Sequence, residues 1–153
     1  MTTAFENVSV VPMDSERVLA DQTVVADGDR ISWIGPTAEA EVPADAERID
    51  GRGKYLIPGL ADMHSHPADE DDLLLLVTHG VTTIRNLFGM PRHVRWRERV
   101  AAGQLLGPRI VTSGPVVDGR PPRSNGNFSV VTREEAIAAV EQTKRGGYDC
   151  VKV

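Results

Sequence analysis

The feature that most constrains this chain is a change of pattern at Pro58-Gly59. Beyond it, β-prone runs alternate with helix-prone ones. Leu60 to His66, Val81 to Leu87, Arg109 to Ser113 and Tyr148 to Val153 read as strands. Asp69 to Thr78, Pro91 to Ala102 and Thr132 to Lys144 read as helices. Alternation of this kind builds a parallel sheet with helices on its faces. The helix ends carry their own signals. Asp69, Glu70, Asp71 and Asp72 crowd a first turn, where the helix dipole favours carboxylates. Thr132 and Glu135 form a capping box, and Gly146-Gly147 supplies a stop. Val116 to Val130 is rich in Gly, Pro and Asn and reads as a long loop.

The stretch before the change has another character. Val8, Val10 and Val11 lie in a β-prone run, Thr23 to Ala26 in a second, and Ile31 to Ile34 in a third, with Asp27-Gly28-Asp29 as the turn of a hairpin. Asp45 to Asp50 and Lys54 to Ile57 flank Gly51-Arg52-Gly53 and read as a second hairpin. Pro36 to Ala46 reads as a loop. Two domains are therefore expected, 1–58 and 59–153.

Composition narrows the function classes. At 41% hydrophobic and 25% charged, the 153 residues fit a globular protein and exclude a collagen, a coiled coil or a disordered tail. Net charge is -5, which argues against a nucleic-acid partner, because phosphate binding needs a basic surface. Apolar runs such as Leu73 to Val77 fall far short of the roughly 20 residues of a membrane helix. Met1 to Glu6 lacks the basic start and apolar core of a secretory signal. One cysteine, Cys150, makes no internal disulfide, so a cytoplasmic setting is expected.

Chemistry concentrates in Asp62-Met63-His64-Ser65-His66. On a strand, residues two apart share a face, so Asp62, His64 and His66 should point the same way, spaced by roughly 6.6 Å along the strand. Two imidazoles so placed can converge on one ion, each with a nitrogen at about 2.0–2.1 Å. Alone, His-x-His is a weak signal, since paired strand histidines satisfied by hydrogen bonds are common. Its place at the C-terminal end of the first strand of a βα series strengthens it, because ligand sites of α/β barrels gather there.

The whole run Gly53-Lys54-Tyr55-Leu56-Ile57-Pro58-Gly59-Leu60-Ala61-Asp62-Met63-His64-Ser65-His66 resembles the signature of the amidohydrolase superfamily. The runs Val131 to Glu135 and Gly147 to Val153 are similar to its imidazolonepropionase-like and prolidase-like branches. The resemblance implies an α/β fold: a (β/α)₈ TIM-type barrel, of which the first four strands are present, preceded by part of a small β-sandwich. It implies that His64 and His66 bind a divalent metal, zinc first, as one or two ions. It implies that Lys152, carbamylated by CO₂, bridges two metals. Lys152 is flanked by Val151 and Val153, so a strand with its valines toward the helices would aim the lysine into the barrel. Asp62 is expected to support the metal-bearing strand through a hydrogen bond rather than to ligate.

The activity implied is hydrolysis of a C–N bond in an amide, cyclic amide or peptide-like substrate, including dipeptides, by metal-activated water. No catalytic base is expected within these residues. By resemblance, that aspartate and two further histidines lie in the remaining half of the barrel, so the chain is expected to be one part of a larger enzyme, with the C-terminal half as its partner and a homo-oligomer left open. The alternative weighed is a non-catalytic half-barrel serving as an assembly partner or a degenerate remnant. Asn86 and Ser113, at strand ends, and Arg120 and Arg123, in the long loop, are candidate substrate contacts. His79 is expected to cap a helix. His93, among Arg92, Arg95, Arg97 and Arg99, is expected on a solvated helix face.

Overall fold

A computed structural model describes residues 1–153, which divide into two units, Met1–Pro58 and Gly59–Val153. In the first unit, β1 (Thr2–Val10) is the central strand. It pairs antiparallel with β2 (Leu19–Asp27), which pairs antiparallel with β3 (Arg30–Pro36). The expected turn joins β2 to β3, with Asp27 opposite Arg30 and Gly28 at φ 60°, a conformation glycine adopts without strain. Asn7, at φ 59°, marks a register shift in β1, and Val8, Val10 and Val24 pack beyond it with Phe5, Leu19 and Leu56.

The second expected hairpin does not form. β4 (Glu47–Asp50) and β5 (Tyr55–Leu56) both run parallel to β1, at Thr3 to Glu6 and at Ser9 to Val10. Gly51 N–H donates to Glu6 O at 2.8 Å, and Ser9 N–H donates to Lys54 O at 3.0 Å. The intervening glycines therefore make a jog along one edge of β1 instead of a reversal. Gly51 is required there, since a Cβ would lie 2.1 Å from Val8 Cγ1. Within the expected loop 36–46, Thr37–Glu39 forms one 3₁₀ turn.

The second unit is a parallel sheet in the order β6 (Leu60–Ser65), β7 (Val81–Asn86), β8 (Arg109–Thr112). Helices α1 (Glu70–Thr78) and α2 (Pro91–Ala101) make the connections. The long loop carries a parallel pair of two-residue strands, β9 (Val117–Asp118) and β10 (Phe128–Ser129), and leads to α3 (Arg133–Arg145). This mixture of sheet and helix is an α/β fold. Leu73, Ile84, Trp96 and Ile110 form the core, joined by Leu76, Val81 and Leu105. Trp96 Nε1–H donates to Glu70, which also pairs with Arg99, so α1 and α2 are tied together at the edge of that core.

The expected strand Tyr148 to Val153 is not regular. Asp149 N–H donates to Thr112 O, Gly114 N–H to Cys150 O and Val117 N–H to Lys152 O, with one parallel bridge, Ser113 to Cys150. The segment thus lies alongside the end of β8. The ladder slips at Gly114-Pro115, where proline fixes φ and offers no N–H.

Two predictions follow from these elements. Leu73 is wholly buried, so Leu73→Ala should lower the unfolding free energy by about 2–5 kcal/mol, measured by denaturant titration. At the start of α3, Glu135 accepts from the N–H groups of Val131 and Thr132, and these bonds hold its carboxyl below the ordinary 4.5. A depressed folded pKa contributes stability above the ordinary value and loses it as pH falls through the lower one. Glu135→Gln should therefore flatten the acid side of the stability–pH curve, measured by urea melts at stepped pH.

Candidate metal and ligand site

The site starts from an irregularity in β6. Asp62 pairs with Ile84 and Ser65 with Asn86, so three steps along β6 match two along β7. The extra residue is a β-bulge at Met63-His64. A bulge frees backbone groups, and both are taken by side chains. His64 N–H donates to Asp62 Oδ1 at 3.0 Å, and the Met63 carbonyl accepts from Arg85 Nε–H at 2.8 Å. His66 falls one residue beyond the strand, at the start of the turn into α1.

The bulge brings the two imidazoles together. Their centroids are 5.0 Å apart, with the rings at 69°. Phe88 stands edge-on to His66 at 6.4 Å. Partial burial pushes the His66 pKa below 6.5, and the His64 and Lys152 charges push it the same way, against the attraction of Asp62. His66 is thus held toward its neutral form, the form that donates a nitrogen lone pair to a metal. A centroid separation of 5.0 Å accommodates two nitrogens each about 2.0–2.1 Å from one ion. The donor set fits a divalent cation of borderline softness. No group of three or more His, Cys, Asp and Glu side chains assembles.

Beside His66 a cleft of about 410 Å³ runs along α1, lined by Ser65, His66, Pro67, Asp72, Leu75, Leu76 and His79. His79 sits at the C-cap of α1, its backbone N–H bonded to the Leu75 and Leu76 carbonyls.

The remaining candidates lie elsewhere. Asn86 is wholly buried, its amide donating to Thr112 Oγ1 at 3.0 Å and accepting from Phe88 N–H at 3.1 Å. Ser113 is wholly buried and donates to Gly114 O. Both therefore serve the internal network of the sheet ends. Arg120 reaches Glu135 at 3.2 Å. Arg123 N–H donates to Asp118, which also accepts from Gly119 N–H and Asn127 and is held below the ordinary carboxylate value by these bonds.

His93 overturns its expectation. It is 1% exposed, not on a solvated face, because both ring nitrogens have backbone partners, at Met90 N and Pro67 O, and Trp96 packs edge-on at 5.1 Å. The signal that could have placed it is local: Pro91 opens the helix, and His93 is the third helical residue, from which a side chain can reach back to the cap.

No family model matches the chain. An imidazolonepropionase of Arthrobacter sp. (strain FB24) is 44% identical over 68 residues, 43% of this chain and 16% of that protein. Among solved structures, a Bifidobacterium longum protein assigned as prolidase superposes with TM-score 0.85 and 32% identity, over 98% of this chain and 40% of its own. A bottromycin amidohydrolase superposes with TM-score 0.80 and 26% identity, over 98% of this chain and 32% of its own. The chain thus spans less than half the length of each. The likeness carried by Pro58 to His66 extends across these residues: the chain is related to the amidohydrolase superfamily, over roughly the N-terminal part of those proteins.

Proposed function

We propose that this chain supplies the metal-gripping first half of a (β/α)₈ barrel in a hydrolase that cleaves a C–N bond of an amide, cyclic amide or dipeptide-like substrate. The observation that carries the reading is the convergence of His64 and His66, 5.0 Å apart, at the C-terminal end of a strand in a parallel sheet. That end is where ligand sites of α/β barrels gather. The relatives support the reaction class, since imidazolonepropionase and prolidase are hydrolases acting on C–N bonds. The first unit belongs, in this reading, to a composite β-sandwich.

His64 and His66 would hold the ion, zinc first, and Lys152 is the candidate for a carbamylated bridge to a second. When bound, the ion supplies Lewis acidity, which polarises the scissile carbonyl and brings the pKa of water down to about 7. The chain's own groups orient and exclude. Asp62 fixes the His64 backbone, Arg85 fixes Met63, and Phe88 shields one side of His66. Arg120 and Arg123 remain candidates for an anionic group of the substrate. The general base is assigned to an aspartate outside these residues. The single free cysteine supports a reducing, cytoplasmic setting. No helix is long and apolar enough to cross a membrane.

A second reading, a non-catalytic half-barrel, draws support from the absence of a third His, Cys, Asp or Glu donor beside the pair. Turnover separates the two. The protein carrying this chain should hydrolyse Xaa-Pro dipeptides or cyclic amides, lose that activity to a chelator and regain it with zinc. His64→Asn and His66→Asn should each weaken zinc binding at least tenfold, measured by competition with a chromogenic chelator. Retention of full zinc affinity by both variants would sink the ligand assignment.

A further inference from the structure

His93 is a buried imidazole that the proposed chemistry does not use. Its Nδ1 lies 2.9 Å from Met90 N and its Nε2 3.0 Å from Pro67 O. A backbone N–H can only donate, so Nδ1 is an acceptor. Nε2 then carries the proton and donates to the Pro67 carbonyl, which itself can only accept. One neutral tautomer satisfies both partners, and Trp96 holds the ring from the side.

The partner of that bond matters because Pro67 directly follows His66. A residue before proline is pushed toward extended backbone, which narrows the directions His66 can take. The segment is also pinned at each end. Leu87 N–H donates to Ser65 O at 3.1 Å, and Ala68 N–H donates to Asp72 Oδ2 at 2.7 Å. Between those two pins, the His93 bond ties the turn to α2, across 26 residues of sequence.

We propose that His93 is a positioning residue for His66: by holding the Pro67 carbonyl, it sets the direction in which the His66 ring leaves the backbone and so keeps it beside His64. The proposal rests on the reading of His64 and His66 as ion ligands. Groups that orient a ligand from behind are typically worth about 10–100-fold in metal affinity.

Two substitutions separate positioning from packing. His93→Gln retains a donor that can reach Pro67. His93→Asn retains the shorter reach to Met90 N–H and loses Pro67. Both lose the imidazole against Trp96, so both should lower the melting temperature. The first measurement is the proton contact between the His64 and His66 rings by NMR, in the metal-free full chain. The second is cobalt(II) affinity, with the visible absorption of the bound ion. In His93→Asn the inter-ring contact should vanish and cobalt affinity should fall by about 10–100-fold. In His93→Gln the contact should persist and affinity should stay close to that of the unsubstituted chain. An unchanged inter-ring contact in His93→Asn overturns the proposal, as does a His93→Gln variant as impaired as His93→Asn. If the unsubstituted chain takes up no cobalt while the inter-ring contact responds as expected, the ligand reading falls and the positioning of the ring stands.

Discussion

The bulge in β6 is the constraint on which the candidate site depends. Without the extra residue at Met63-His64, a regular strand would space its alternate side chains roughly 6.6 Å apart and turn their rings along the pleat. With it, the two imidazoles stand 5.0 Å apart, close to edge-on. A bulge is tolerated only when the backbone groups it frees find partners. Here Asp62 takes the N–H of His64 and Arg85 takes the carbonyl of Met63. Asp62 therefore acts on the site through the backbone. Its proximity also opposes the positive surroundings of His66.

The helices fix what the bulge points at. Asp69 caps α1 by accepting from Asp72 N–H, and the Asp72 carboxylate turns back to Ala68 N–H. Those two bonds close the turn that begins at His66. The same turn is held from α2 by His93, and α2 is held to α1 through Glu70, Arg99 and Trp96. The chain that leaves β6 is thus bonded at Ser65, Pro67, Ala68, Asp69, Glu70 and Asp72. Such a segment restricts the directions in which His66 can leave the backbone.

How much was legible in the sequence follows from which forces are local. The capping box of Thr132 and Glu135 appears at α3 where it was read, whereas Asp69, read into the first turn of α1, is its N-cap, and Met90 is the N-cap before Pro91 in α2. Strands flanked by helices also appear, because apolar periodicity and short connections determine them. Partner choice was less legible. Gly51-Arg52-Gly53 has the composition of a hairpin turn, yet β1 offers an edge on which β4 and β5 both run the same way. Residues 148–153 have strand composition, but Pro115 breaks the ladder that would have completed them. The proximity of His64 to His66 was legible from the motif, though the bulge was not, because a register shift depends on Ile84 and Asn86 across the sheet. His93 was misplaced for a similar reason. Its arginine neighbours suggested solvent, while its two backbone partners lie on other parts of the fold or at the cap.

The sheet itself explains why the chemistry sits at one end. Across β7 and β8, Ile84 faces Ile110 in register, and both belong to the apolar core. Two residues further on, Asn86 faces Thr112, both wholly buried and bonded to one another. A buried amide and hydroxyl cost stability unless every polar atom is met. Here the remaining capacity goes to Phe88 N–H and to the Ser113 carbonyl, which fastens the strand ends to the loops that follow. Gly89 comes so close to Ser113 that a Cβ would sit 1.5 Å from its carbonyl oxygen. The interior therefore changes from apolar to polar at the level where β6 ends at Ser65, one residue before His66. The exposed imidazoles lie at that polar end, while the apolar layer of Leu73, Ile84, Trp96 and Ile110 keeps the strands in place.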